Sequence, residues 1–458
     1  MNTLINPIKQ VFVFAFTLFV CLSACKESSK KETAKETYLP QEVWNVAEKN
    51  NYTDPNAQFS FDRMIETDNL VVFWEPDFGD DPTSTVDPKF RVPLTDLMQE
   101  CEKIYAFYRD DLKFVQQGNS LTDRYRMNIY LYHNEDGTVY GGGSEKKIGA
   151  IWLSPNRVQH KPYGALAHEL GHAFQYMVSG DGNWGFSTNP EGGRGQTIFE
   201  MTSQYMLWQY YPEWIVFENY HLVSYMNTTH KAFMHEDNCY SSPHVFEYWA
   251  HKHGIDFIGK LWREAKEGED AVIAYKRMTG IDQKTFNDEM LDAYLKFITW
   301  DLDRIREVSK PYANQHTSAF TSIGNGWYQI AEERCPQNYG YNGIQLNVPS
   351  SETEITLDFK GITNAKGYRS VNKDKAGWRY GFVAMTIDGE RVYSDKYSEA
   401  EGTVKFTVPE HTSHLWLVVS GAPTEHWEHL WDGDANNDEQ WPYQIKLTGT
   451  SLHHSILK

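Results

Sequence analysis

PYGALAHELGHAFQYMV, Pro162 to Val178, is the stretch on which the fold of this 458-residue chain turns. Pro162 opens a helix, its fixed φ suiting the first turn. At about 100° of rotation per residue, His168, His172, Glu169 and Gln175 share one arc, and Leu166, Leu170, Phe174, Met177 and Val178 share the other. One arc therefore packs, and the opposite arc presents two imidazoles and a carboxylate. Histidines at i and i+4 can grip a single zinc ion from one helical face. A carboxylate beside the first of them, Glu169, can reach water on that ion.

A zinc site needs a third protein donor and one open position. The metzincin continuation requires Gly at position 175 and His at 178, where Gln175 and Val178 stand. Asp181, Glu191 and Glu200 remain. The first two fall in a Gly/Asn/Pro-rich loop from Gly180 to Gly195, which would hold a ligand poorly. Glu200 falls in a helix from Thr197 to Tyr211, among Ile198, Phe199, Met201, Tyr205, Met206, Leu207 and Trp208. A carboxylate buried on so apolar a helix needs a cation, either zinc or a base such as Arg194. Ser203 and Gln204, three and four residues on, can hydrogen-bond Glu200 or a ligating histidine.

Outward from this helix the chain reads as α+β. Asn69–Trp74, Arg126–Tyr132 and Ile148–Leu153 are strands, and a helix capped near Thr95 or Asp96 runs to about Leu112. Its apolar face is Leu97, Cys101, Ile104, Tyr105 and Tyr108. Gly141-Gly142-Gly143 reads as a flexible loop. Pro243 to about Leu302 reads as several helices punctuated by Gly254, Gly268 and Gly280. Beyond residues 312 to 322 the pattern changes to short alternating runs: Glu354–Phe359, Tyr380–Ile387, Thr403–Val408, Leu415–Val419 and Tyr443–Leu447. These predict an all-β sandwich over 320–452, after a catalytic domain over 61–315.

Composition narrows the function. Lys+Arg number 43 and Asp+Glu 62, a net charge of −19, which disfavours nucleic acid and anionic membrane surfaces as partners. The 15 Trp, 28 Tyr and 24 Phe suit either large core faces or sugar-stacking platforms. At the N-terminus, Lys9 precedes an apolar run, Val11 to Val20, too short to span a bilayer and ending in Leu22-Ser23-Ala24-Cys25. This resembles the bacterial lipoprotein signal (residues 1–24), which implies acylation of Cys25 and a lipid-anchored protein at the outer membrane or cell surface. Residues 25–60 then read as a disordered tether and lead-in. Cys101, Cys239 and Cys335 remain in the body, enough for one disulfide at most and without thiolate-zinc spacing.

HELGH (168–172) followed, after 27 residues, by Glu200 resembles the gluzincin metallopeptidases. HELGHAFQ and EMTSQY are loosely similar to the enhancin-like, mucin-targeting branch. The whole chain also resembles an uncharacterised group of secreted bacterial proteins with a zincin-like half and a β-domain carrying GAPTEHW (421–427) and WPYQ (441–444). The resemblance implies a zincin-like catalytic domain with one Zn2+ on His168, His172 and Glu200. Glu169 would be the general base and a protein or glycoprotein the substrate of a monomeric enzyme. Ile148–Leu153 would be the edge strand that pairs with extended substrate. Tyr240, His244 and Tyr248 are candidates for stabilising the oxyanion. Asp432, Asp434, Asn436 and Asp438, at alternate positions of one loop, suggest a weaker Ca2+ site. A second reading stays open: a glycan- or protein-binding surface lipoprotein whose zincin-like half is only a scaffold.

Overall fold

The computed structural model describes residues 34–187, 196–350 and 353–458. The expected signal segment, Cys25, Glu191 and Arg194 lie outside them. The first sheet is built from β1 (Met64–Glu66), β2 (Leu70–Trp74), β3 (Met127–Leu131), β4 (Val139–Ser144) and β5 (Ile148–Leu153), in the order β1-β2-β3-β5-β4. β2, β3 and β5 run parallel, and β1 and β4 flank them antiparallel. The strands are apolar runs because both faces of the sheet are covered. Leu70, Val72 and Trp74 face helices α1 (Leu94–Asp110) and α2 (Gly164–Gly180), while Val71 and Phe73 face the other way.

What covers that other face corrects the tether reading. Residues 35–60 are ordered, and Val43, Tyr52 and Phe59 bury themselves on Val71, Phe73, Tyr130, Tyr132 and Trp152. Glu36 adds a short bridge to Tyr125. These buried apolar side chains, with Leu39 and Val46 packed beside them, are what fix the stretch there.

Two further expectations change. Ile148–Leu153 is not an edge strand, since β5 lies between β3 and β4. The Gly141-Gly142-Gly143 run is no flexible loop either: it is β4, the true edge, packed on α2. A Cβ on Gly141 would stand 2.1 Å from the carbonyl oxygen of Glu169, and one on Gly143 would stand 2.0 Å from the Tyr176 ring. The glycines are there to let the strand approach the site helix.

The helical layer continues through α3 (Gln196–Tyr210), α4 (Trp214–Phe217), α5 (Tyr220–Thr228), α6 (His244–His253), α7 (Phe257–Glu264), α8 (Ala271–Thr279) and α9 (Gln283–Phe297). The strands that follow are β6 (Phe320–Gly324), β7 (Trp327–Ile330), β8 (Tyr341–Leu346), β9 (Glu354–Gly361), β10 (Trp378–Thr386), β11 (Arg391–Tyr393), β12 (Glu401–Thr407), β13 (Thr412–Gly421) and β14 (Tyr443–Thr448). They form two antiparallel sheets, β11-β10-β13-β8 and β12-β9-β14-β7-β6, with one core between them.

The change from helix to strand is not a gap in packing. Along β13, Leu415, Leu417 and Val419 point into the sandwich, whereas Trp416 and Val418 join the core of the helical layer. Period-two alternation thus feeds two cores, and Lys35–Lys458 forms one compact unit. Trp249, Trp262, Trp300, Trp378, Trp416 and Trp441 are all fully buried, so much of the aromatic content is core. Cys101, Cys239 and Cys335 are free and buried. Among the described residues no helix is long and apolar enough to cross a membrane.

Candidate metal centre

α2 and α3 cross at Gly171, where a Cβ would meet Ser203 Oγ at 2.5 Å. That close approach brings Glu200 on α3 against the two histidines of α2. His168 Nε2 and His172 Nε2 are 3.1 Å apart, and Glu200 Oε2 lies 3.1 Å from the first and 3.2 Å from the second. The three atoms make a nearly equilateral triangle. Donors at zinc's usual bond lengths around a tetrahedral ion stand about 3.3 Å apart, close to these edges.

The protons around the triangle fit the same ion. Gln204 Oε1 faces His168 Nδ1 at 3.2 Å, and Gln175 Oε1 faces His172 Nδ1 at 3.0 Å. Each amide is oriented by its other end: Gln175 Nε2 donates to the Phe199 carbonyl at 2.9 Å, and Gln204 Nε2 to that of Tyr240 at 3.5 Å. With amide oxygens facing them, both Nδ1 atoms carry the ring protons. Both Nε2 atoms therefore point lone pairs at each other and at a carboxylate oxygen. Three lone pairs converging in a largely buried site repel unless a cation stands among them. Without a metal, a proton takes that part. Burial opposes charge on His172, yet Glu200 beside it holds its pKa above the ordinary value. Burial would raise the Glu200 carboxyl, and the two imidazoles instead hold it well below the usual range.

Ser203 does not touch a ring; its hydroxyl donates to the backbone carbonyl of His168 and so ties α3 to the first turn of the motif. Glu169 is buried beside the triangle and adds its charge to the field at His172 and at Tyr240. Tyr240 is the one oxyanion candidate brought to the site. Its ring lies 6.1 Å from that of His168, and burial together with Glu200 raises its phenol above the ordinary value.

His244 and Tyr248 are corrections. His244 is enclosed by Trp208, Tyr225 and Trp300, a core position chosen by its apolar neighbours. Tyr248 donates its hydroxyl to Asp292 at 2.9 Å. Asp181 is no ligand either, since its carboxylate accepts the Leu121 N–H at 2.8 Å.

Two residues were not singled out from sequence for these roles. Gln175 shares the histidine arc, which is the signal that could have found it. His221 stacks on Tyr240 with ring centroids 6.0 Å apart. Burial lowers its pKa against the pull of Glu218, and nothing local in the sequence marks it. The calcium loop is also corrected. Asp432 and Asp434 accept N–H bonds from Asp434 and Asn436 at 2.9 and 3.0 Å, while Asp438 turns inward to His235.

No curated protein matches the chain. Among solved structures, a functionally unknown conserved protein from Bacillus anthracis is 10% identical, covering 67% of this chain and 70% of its own, with a TM-score of 0.30. The Yersinia pseudotuberculosis-derived mitogen is 9% identical, covering 28% of this chain and 85% of its own, with a TM-score of 0.18. Likeness this remote carries no argument about fold or function. One family profile spans nearly the whole chain, residues 29–454, and the chain belongs to that family, DUF6055, a family of unknown function.

Proposed function

We propose that the chain is a zinc metallopeptidase of the zincin type, anchored outside the cytoplasm and acting on proteins or glycoproteins. The observation that carries this reading is the convergence of three donor atoms, His168 Nε2, His172 Nε2 and Glu200 Oε2, with a glutamine oxygen facing each Nδ1. Three protein donors and an open fourth position are the pattern of a catalytic zinc rather than a closed structural one. Bound there, zinc supplies a Lewis acid and a water acidic enough to ionise near neutral pH.

The chain's own groups would do the rest. Glu169, next to the first ligand, accepts the proton of the attacking water and returns it to the leaving amine. Tyr240 offers an O–H and His221 a ring N–H to the oxyanion. β4, as an antiparallel sheet edge against the site helix, offers main-chain groups to an extended peptide, a role the sequence reading gave to β5. Anchoring rests on the apolar run and Cys25 at the N-terminus.

The test is hydrolysis of a broad peptide and glycoprotein panel by the zinc-loaded chain and by Glu169→Gln. Cleavage that a chelator abolishes and Glu169→Gln lowers by about a thousandfold or more is expected. No cleavage by wild type, or equal rates in the two proteins, would remove the peptidase reading.

A further inference from the structure

A second group of metal-ligating side chains lies where the helical layer meets the long connection between β13 and β14. His235 precedes the turn Glu236–Asn238, and His429 and Asp438 come from the connection. The two rings stack with centroids 4.5 Å apart. His235 Nε2 is 3.3 Å from Asp438 Oδ2, His429 Nε2 is 3.9 Å from Asp438 Oδ1, and the three donor atoms all lie within 4.8 Å of one another. Glu236 Oε2 stands 3.0 Å from His429 Nε2 and 3.2 Å from His235 Nδ1.

Buried histidine–carboxylate pairs mark this cluster out. His235 has a carboxylate oxygen near each ring nitrogen: Nε2 pairs with Asp438 at 3.3 Å, and Nδ1, 3.2 Å from Glu236, takes the Asp237 N–H. Among the described residues the side-chain ion partners of Glu236 and Asp438 are imidazoles alone. Arg369 spends its Nε–H on the backbone carbonyl of Asp438, at 2.9 Å. Two carboxylates this enclosed, with imidazoles alone as side-chain ion partners, make a donor set that a divalent cation would complete.

We propose that His235, His429 and Asp438, with Glu236 as the fourth donor, hold a second divalent cation of the zinc class. Two nitrogens and two carboxylate oxygens suit zinc, and four protein donors make a closed, structural site, unlike the three donors of the first centre. Glu236 would also accept His235 Nδ1–H, the carboxylate–histidine–metal arrangement that orients a ligating ring. His429 lines a cleft with Trp427 and Trp431, which gives an ion a way in. The ion would clip the connection to the turn leading into Tyr240, and so support the first site from behind.

The backbone N–H of Asp237 also points at His235 Nδ1, 3.0 Å away. With that nitrogen the acceptor, Nε2–H satisfies Asp438 when no metal is bound, and a cation would have to displace that proton. Zinc stoichiometry shows whether it does. The full chain is stripped with a chelator, dialysed, titrated with zinc and assayed for bound metal, with circular dichroism as the check of fold. Two equivalents are expected in wild type and one each in Asp438→Asn, His429→Ala and Glu200→Ala. None is expected in the Asp438→Asn/Glu200→Ala double variant. The second equivalent should raise the melting midpoint of wild type and not that of Asp438→Asn. Asp438→Asn and His429→Ala binding as much zinc as wild type would overturn the proposal. Loss confined to those two variants, with Glu200→Ala unaffected, would uphold it and overturn the first centre instead.

Discussion

Gln175 Oε1 lies 3.0 Å from Nδ1 of His172, and the same amide is held from behind by the carbonyl of Phe199. The side chain is fully buried and has no other evident task. It fixes which ring nitrogen of His172 is free for a metal. Gln175→Met, similar in volume, should keep the fold and weaken zinc binding by about 10–100-fold, measured against a competing chelator. Unchanged affinity would show that the tautomer is set by something else.

Gly141 and Gly142 are neighbours in β4 with opposite surroundings. A Cβ at 141 would meet the Glu169 backbone at 2.1 Å, whereas one at 142 would find the Trp152 ring at 3.7 Å, an ordinary contact. Gly141→Ala should cost about 1–3 kcal/mol and displace the site helix, lowering zinc affinity, while Gly142→Ala stays near wild type. Thermal melts of the two variants check this, and equal behaviour would contradict the packing of β4 on α2.

The core of the site could be read from residues alone because its logic is local. His168 and His172 share a face by helical spacing, and Glu200 stands out as an acid among apolar neighbours. The parts that were misread depend on distant chain. Nothing near Ile148–Leu153 says that β4 will pair outside it, since strand order is a property of the whole sheet. A triple glycine has no side-chain pattern, so its close approach to Glu169 is invisible until α2 is in place. Val43, Tyr52 and Phe59 lack any period and order only because the sheet leaves a face for them. Asp438 looked like one of four loop oxygens, yet it faces His235, more than two hundred residues away in sequence.

His244 tests the distinction between core and catalysis. Both its ring nitrogens are buried without hydrogen-bond partners among the described residues, and burial pushes its pKa down to about 3. The unfolded ring takes a proton below about 6.5 that the folded ring refuses, so stability drains away as pH falls from there toward 3. His244→Phe should hold or raise the melting midpoint at pH 7, raise it further at pH 5, and leave zinc binding unchanged. Loss of zinc binding in a folded variant would return His244 to the site.

Glu439 is a buried acid with the opposite sign. Burial raises its pKa to about 7, and its carboxyl accepts the Asn338 N–H at 2.6 Å. Between about 4.3 and 7 the unfolded chain gives up a proton that the folded chain keeps, so stability falls as pH rises through that window. Glu439→Gln keeps the acceptor and removes the titration. Its gain in stability should be small at pH 4.5 and reach at most about 4 kcal/mol at pH 8. A gain independent of pH would rule out this origin.

The most direct measurement is an anomalous difference map at the zinc edge from crystals of the zinc-loaded chain. A peak within about 2.0–2.2 Å of His168 Nε2, His172 Nε2 and a Glu200 oxygen is expected, with the fourth position open to solvent. Full zinc loading with no peak between these three side chains, or a peak there lacking Glu200, would contradict the metal centre on which the proposed chemistry depends.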